Sequence, residues 1–397
     1  MNPSASGWIG KYGYVVKDNE DAFKDFEDLY AGLKKAGFVY GLNVKIPRFI
    51  QVEHNLSEDE KAKINLLTAL FYTFKLNNSN AEFKNFLIAI FEFYKVLNIN
   101  RISFLEKVLT GNKTSAKLEA LINSRVYLDD NVFSKTFNNI ITNSLLFIDV
   151  LTFRNFLEDG KDIRQYAQKM EYMVINIAYH ALNSKEKNKA DAKLSQLFES
   201  SLTFIDGREQ DFDGSYREKL NDNSFSWENQ YFLDVACVTV WEDKTLEYQE
   251  SEFIYGIGKD LGFAKKEISR ALEEITSFFD KNSNIIPFLK STNMAVQFYD
   301  SMSKVVVRLI QRNRKRLLKE LSESKELMLL LSKSTVRDLS KDEKKKVQAQ
   351  LLDVFKTIPS LAIFMLPGGA VLLPIFIKLI PKLLPSAFDE NRVEKSK

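Results

Sequence analysis

Apolar residues recur at three- and four-residue intervals through every long segment of the chain, and no segment of any length alternates apolar with polar. The first spacing gathers side chains on one face of a helix, whereas alternation would mark a strand. The sequence therefore predicts an all-α protein with at least ten helices and no sheet. Residues 1–17 read as an irregular lead around Trp8, Tyr12 and Tyr14. A helix is predicted over 19–35, where Phe23, Phe26, Leu29, Tyr30 and Leu33 share a face and Gly37 supplies the stop. Ser57 followed by Glu60 is a capping box, two reciprocal hydrogen bonds that open a helix. That helix should reach about residue 75, with another over 81–97. Further helices are predicted at 101–109, 114–124, 130–157, 160–182 and 186–205. The polar stretch 206–224 reads as a boundary. Beyond it come helices at 227–241, 247–261 and 265–279, then a long one over 294–321 and another to about 333. A second capping box, Ser340 with Glu343, starts a helix whose Val347, Leu351, Val354, Phe355 and Ile358 form one stripe.

That stripe leads into the most apolar part of the chain. No charge lies between Lys356 and Lys378, so 358–377 is an uncharged run of about the length that crosses a bilayer, roughly 20 residues. Pro359, Pro367, Gly368, Gly369 and Pro374 interrupt it. Each proline removes a backbone donor and clashes with the preceding turn, which a soluble core helix rarely accommodates repeatedly. Membrane helices tolerate such breaks when neighbours satisfy the freed groups. The expectation is a kinked span or a re-entrant hairpin; the alternative is an apolar hairpin packed on the chain's own helices.

Composition narrows the function classes. Among 397 residues, 56 Lys and Arg nearly balance 53 Asp and Glu, so bulk charge names no partner. Phe is abundant (31) and Pro scarce (8), which suits helices with aromatic cores. One cysteine, Cys237, excludes an intramolecular disulfide and a cysteine-rich zinc site. His54 and His180 are the sole histidines and read as structural. The first residues lack the basic and apolar regions of a secretory signal. No phosphate-binding glycine loop, nucleophile elbow or paired-histidine motif occurs, so the chain is expected not to be an enzyme, and no cofactor is implied.

From Leu339 to Phe388 the sequence resembles the membrane segment of the leucine-zipper/EF-hand-containing transmembrane (Letm) family, in a bacterial-type form. The residues that carry this are Leu339-Ser340 with Glu343, then Asp353 through Pro359. Leu366-Pro367, Leu373-Pro374, Lys378 before Pro381, and Leu384-Pro385-Ser386 with Phe388 complete the pattern. The resemblance implies membrane lipid and the ribosome as partners. It also implies that a ribosome-binding domain follows the segment, whereas nine residues follow Phe388 here. A subunit of a cation/proton antiport system is the alternative, which would need a homo-oligomer to enclose a pathway. The family's glutamate after the second proline is Ala370 here, so this chain alone is expected not to exchange cations for protons. The implied location is the cytoplasmic face of an inner membrane, with the bulk of the chain cytosolic.

A weaker resemblance, to the tellurite-resistance TerB-like helical domain, covers 226–280. It rests on Asp243, Glu250, Phe253-Ile254 and Leu261-Gly262-Phe263. In that family acidic residues at this turn can hold a divalent cation; here Lys244 occupies the usual glycine position, so Asp243 and Glu250 are weak metal candidates. Asp206, Asp211 and Asp213 lack the ligand spacing of a calcium loop.

The expected organisation is therefore 1–205 helical domain, 206–225 linker, 226–290 TerB-like domain, 291–338 basic region, 339–388 Letm-like segment and 389–397 polar tail. Within the basic region, Arg308, Arg312, Arg314, Lys315, Arg316 and Lys319 are dense enough to bind phosphates of lipid headgroups or RNA. Lys341 to Lys346 add a second cluster. The best overall reading is a helical interaction or scaffold protein held at a membrane by its C-terminus, with no small-molecule substrate.

Overall fold

The structure is a computed structural model. It describes residues 1–78, 82–97, 114–126, 146–158, 160–184, 216–221, 226–241, 248–286, 303, 306–307, 309–358, 361, 364 and 372–384. All regular structure among them is helical, as the spacing predicts. The helices predicted at 101–109 and 186–205, and much of that at 130–157, fall outside the described residues.

The chain begins with a helix, α1 (Trp8–Lys17), where an irregular lead was expected. No local residue caps it. Instead Glu119, on a later helix, accepts hydrogen bonds from the backbone N–H groups of Gly7 (2.9 Å) and Ile9 (3.3 Å). Two of the donors that a helix start leaves open are thus met from over a hundred residues away. Trp8, Ile9, Tyr12 and Val16 are buried along one side. Gly13 is needed there, because a Cβ would lie 2.6 Å from the Phe83 ring.

The next helix, α2 (Phe26–Ala36), starts later than predicted, because the Asp25 side chain accepts from the Asp28 N–H and fixes the first turn. Gly37 ends it in the left-handed conformation, with the Phe38 N–H returning to Leu33 O (2.9 Å). A Cβ on Gly37 would stand 2.2 Å from Leu42 O, so only glycine fits.

α3 (Glu58–Asn77) is the central element of the N-terminal body. Its capping box forms as predicted, with both Ser57–Glu60 bonds present. Every residue from Ala62 to Phe74 is buried. A helix apolar or buried all round needs neighbours on all sides. These are α2, α4 (Phe83–Val96), α5 (Thr114–Val126) and α6 (Leu146–Glu158). α7 (Ile163–Asn183) packs on α6 and on α9 (Ser226–Val240). The short α8 (Tyr216–Asn221) leans on α10 (Tyr248–Asp260), and α9, α10 and α11 (Lys265–Asn282) pack mutually.

Two buried ionic clusters fasten this body. Arg125 donates two bonds of 2.6 Å to the Asp149 carboxylate, to which Tyr94 also donates (2.8 Å). Lys34 lies 2.8 Å from Asp234 and 2.7 Å from Glu274, and the Tyr30 hydroxyl donates to Asp234 (2.7 Å). The second cluster joins α2 to α9 and α11, so helices on both sides of the polar 206–225 stretch share ionic partners. Cys237 is buried, and burial pushes its thiol well above the ordinary range.

Helices form at the three positions expected within 226–280, with Gly262 in the left-handed conformation between the last two. Three helices alone do not identify a TerB-like domain. The long helix predicted over 294–321 is broken at Asn313, whose side-chain amide donates to Leu309 O (2.7 Å) and whose backbone leaves helical geometry. α12 (Arg314–Ser322) begins there. It is followed by α13 (Lys325–Lys333), α14 (Lys341–Thr357) and α15 (Leu373–Leu383).

Candidate functional site

The four C-terminal helices form a compact cluster built on α13. α12, α14 and α15 each pack against it, and α12 also meets α14. Leu317 and Leu321 of α12, Leu327 and Leu331 of α13, and Val347, Leu351 and Phe355 of α14 are fully enclosed. The predicted stripe on α14 is thus buried against protein. Ser340 and Glu343 form their capping box, and Ser324 both caps α13 and donates to Gln350 of α14 (2.7 Å).

The apolar run joins the same core. Ile358, Leu361, Phe364, Leu372, Leu373, Ile375, Phe376, Ile377, Ile380 and Leu384 are all buried. Phe364 stacks on Phe355 at 4.6 Å, and Phe376 meets both rings edge-on or tilted, at 5.2 Å from Phe355 and 4.9 Å from Phe364. Pro374 sits in the first turn of α15, where its missing N–H costs nothing, and Pro381 lies within the helix. Lys378 and Lys382 are exposed on the opposite side. α15 is therefore an amphipathic helix with its apolar side against α13. Its 11 residues span about 16 Å at 1.5 Å per residue, half of a hydrocarbon core of about 30 Å. Among the described residues, no helix is long and apolar enough to cross a membrane. The expected span is corrected to that extent: the described part of the run packs on the chain's own helices. Pro359, Pro367, Gly368, Gly369, Ala370, Pro385 and Phe388 lie outside the described residues.

Charges divide unevenly over this cluster. On α14, Lys346 pairs with Glu326 of α13 (3.0 Å), which also accepts from Gln350 (2.8 Å). Glu343 takes a two-pronged bond from Arg337 (2.7 and 2.8 Å), with Lys333 at 3.6 Å. The Arg337 bond, helped by the Ser340 N–H, holds the Glu343 carboxyl down at about 2. Lys356 pairs with Asp353 at 2.6 Å. Within the expected basic cluster of 341–346, Lys346 is thus neutralised by an acid of another helix, while the cluster's own Glu343 is taken by Arg337 and Lys333. α12 differs. Arg314, Lys315, Arg316 and Lys319 are all exposed, and no ion pair to them exists among the described residues. Arg312 is exposed just before the break, and Arg308 lies outside the described residues.

The metal candidates do not assemble. Asp243, Asp206, Asp211 and Asp213 lie outside the described residues, as does the Glu250 side chain. No group of three or more His, Cys, Asp or Glu able to hold a metal occurs among the described residues. His180 stacks on Tyr216 (4.8 Å between rings); burial and nearby Arg217 depress its basicity.

Residues 339–397 match the family model described as LETM1-like, RBD, the ribosome-binding domain of that family. The C-terminal segment is Letm-like. No curated protein and no solved structure matches the chain. The Letm-like match begins at Leu339, where the sequence motif begins, and runs over α14, α15 and the tail. It also corrects one expectation. The ribosome-binding domain was expected to follow the Leu339–Phe388 segment, whereas the matched domain starts with that segment. What sequence reasoning missed is the pairing of Lys346 with Glu326; twenty residues of separation give no local signal.

Proposed function

We propose that this protein is a ribosome-docking adaptor whose C-terminal helices make the contact and whose N-terminal helical body serves as scaffold for other interactions. The match of residues 339–397 to a LETM1-like ribosome-binding domain carries the reading. The cation-rich surface beside it suits a partner that is largely RNA phosphate. The division into a body, a basic region and a Letm-like segment belongs to this proposal. So does the absence of a catalytic role. The test is co-sedimentation with ribosomes of the source organism. The full chain should pellet with them, and a chain ending at Asp338 should pellet far less. Equal pelleting of both would refute the reading.

A second reading, attachment to a membrane, draws on the uncharged run 358–377. Pelleting of the full chain with membranes after a carbonate wash, lost on ending the chain at Lys356, would favour it.

A further inference from the structure

The cations of α12, which have no ion pair among the described residues, lie outside the family match, and their arrangement points to a specific kind of partner. α12 turns Leu317 and Leu321 into the core, both fully buried. Lys315 and Lys319 stand four residues apart on the far side, with Arg316 three residues before Lys319, and Arg314 is exposed at the first position of the helix, about 100° round from Lys315. Neighbours at these spacings repel when like-charged, by about 0.2–0.5 kcal/mol per pair. Glu320 and Glu323 stand four residues after Arg316 and Lys319, yet no ion pair joins them to those cations among the described residues. On α14, Lys346 and Lys356 each have an acid in place, whereas Lys344 and Lys345 have no ion pair among the described residues. Four exposed cations within six residues of one helix form a dense positive surface, the electrostatic footprint that a phosphate-bearing partner requires.

The partner's chemistry follows from what accompanies the cations. A helix that lies in a membrane interface needs apolar side chains facing the lipid to insert. The leucines at 317 and 321 are enclosed by protein instead, so the outer face offers charge alone. Single-stranded nucleic acid is usually gripped by aromatic side chains that stack on bases. Residues 306–322 contain no aromatic residue. Double-stranded RNA is bound chiefly through phosphates and shape, which requires neither. We infer that the outer face of α12, formed by Arg314, Lys315, Arg316 and Lys319, binds the phosphate backbone of double-stranded RNA without base preference. The inference rests on the ribosome-docking reading and supplies the part of the contact that the family match does not cover.

The test compares three full-length proteins: wild type, the variant with Arg314→Gln, Lys315→Gln, Arg316→Gln and Lys319→Gln, and a control with Lys11→Gln, Lys17→Gln, Lys35→Gln and Lys84→Gln. The control loses the same charge from exposed positions in the N-terminal body. Circular dichroism checks that all three fold, which exposed Lys and Arg to Gln changes should permit. Binding is read by anisotropy of a labelled RNA duplex of arbitrary sequence over a range of salt, and by flotation with phosphatidylglycerol vesicles. The wild type should bind duplex with a steep salt dependence. The α12 variant should lose at least about tenfold in affinity at low salt, and its log–log salt slope should be shallower by about 3–4, one per lost phosphate contact. The control should match the wild type. Equal losses in both variants, an unchanged α12 variant, or a wild type that binds vesicles and not duplex would each overturn the inference. Ribosome pelleting of the same proteins separates the two proposals. Failure of the wild type to pellet removes the docking reading; normal pelleting of the α12 variant with unchanged duplex binding removes only this inference.

Discussion

Replacing Phe376 by Ala probes whether the apolar run is part of a folded core. Phe376 is fully buried and closes a three-ring cluster with Phe355 and Phe364, at 5.2 and 4.9 Å. Truncating a buried phenylalanine to alanine costs about 3–5 kcal/mol, the sum of lost transfer energy and the cavity left behind. Loss of two edge-to-face contacts, each about 0.5–1.5 kcal/mol, places this site in the upper part of that range. At 1.4 kcal/mol per tenfold change, the opening equilibrium of the C-terminal helices should rise by a factor of about 100 or more. Hydrogen exchange of the full chain, read on peptides from α13 to α15, measures that local opening free energy directly. Protection there should fall while peptides from α3 keep theirs. An unchanged exchange pattern, or a loss below about 1 kcal/mol, would mean that Phe376 is not held by α13 and α14 and would refute the packed arrangement.

Three other changes have definite signs. Leu373→Arg places a charge where Leu373 is buried, and an uncompensated buried charge costs about 3–5 kcal/mol, so the same peptides should lose protection in detergent-free buffer. Asp149→Ala removes the carboxylate that takes both Arg125 bonds and the Tyr94 hydroxyl, and should destabilise the N-terminal body by about 3–5 kcal/mol in urea unfolding. Glu58 is desolvated, with Oε1 buried and unpartnered and Asp59 beside it; burial first and the Asp59 charge second push its carboxyl up to about 8 from an ordinary 4.5. The folded state then binds more protons at this group than the unfolded chain between those values, so the group's contribution to stability should fall as pH rises from about 4.5 to 8, and Glu58→Gln should flatten that fall in urea unfolding followed across the range.

Local signals were legible in the sequence and long-range ones were not. The capping boxes at Ser57 and Ser340 form because both partners lie within one turn, and α3 follows from its apolar density. α1 escaped notice because its cap is Glu119, on another helix. At the break, the Asn313 side-chain amide shares the Leu309 carbonyl with its own backbone N–H, in a residue type whose local side-chain bonds make it a poor helix former. The apolar run was ambiguous in principle, since a bilayer and a protein core reward the same side chains. In the structure the described part of the run packs on protein, with Phe364 and Phe376 against Phe355. The cations of α12 were visible as a cluster, but which of the chain's cations lack an acid depends on contacts such as Lys346 with Glu326.

The most direct test of ribosome docking is hydrogen exchange of the full chain with and without an excess of ribosomes. The account predicts slowed exchange in peptides from Arg314 to the C-terminus, strongest over α12, α14 and α15, with α1 to α7 unchanged. Slowed exchange confined to α1 to α7, or none anywhere at a large excess of ribosomes, would contradict it.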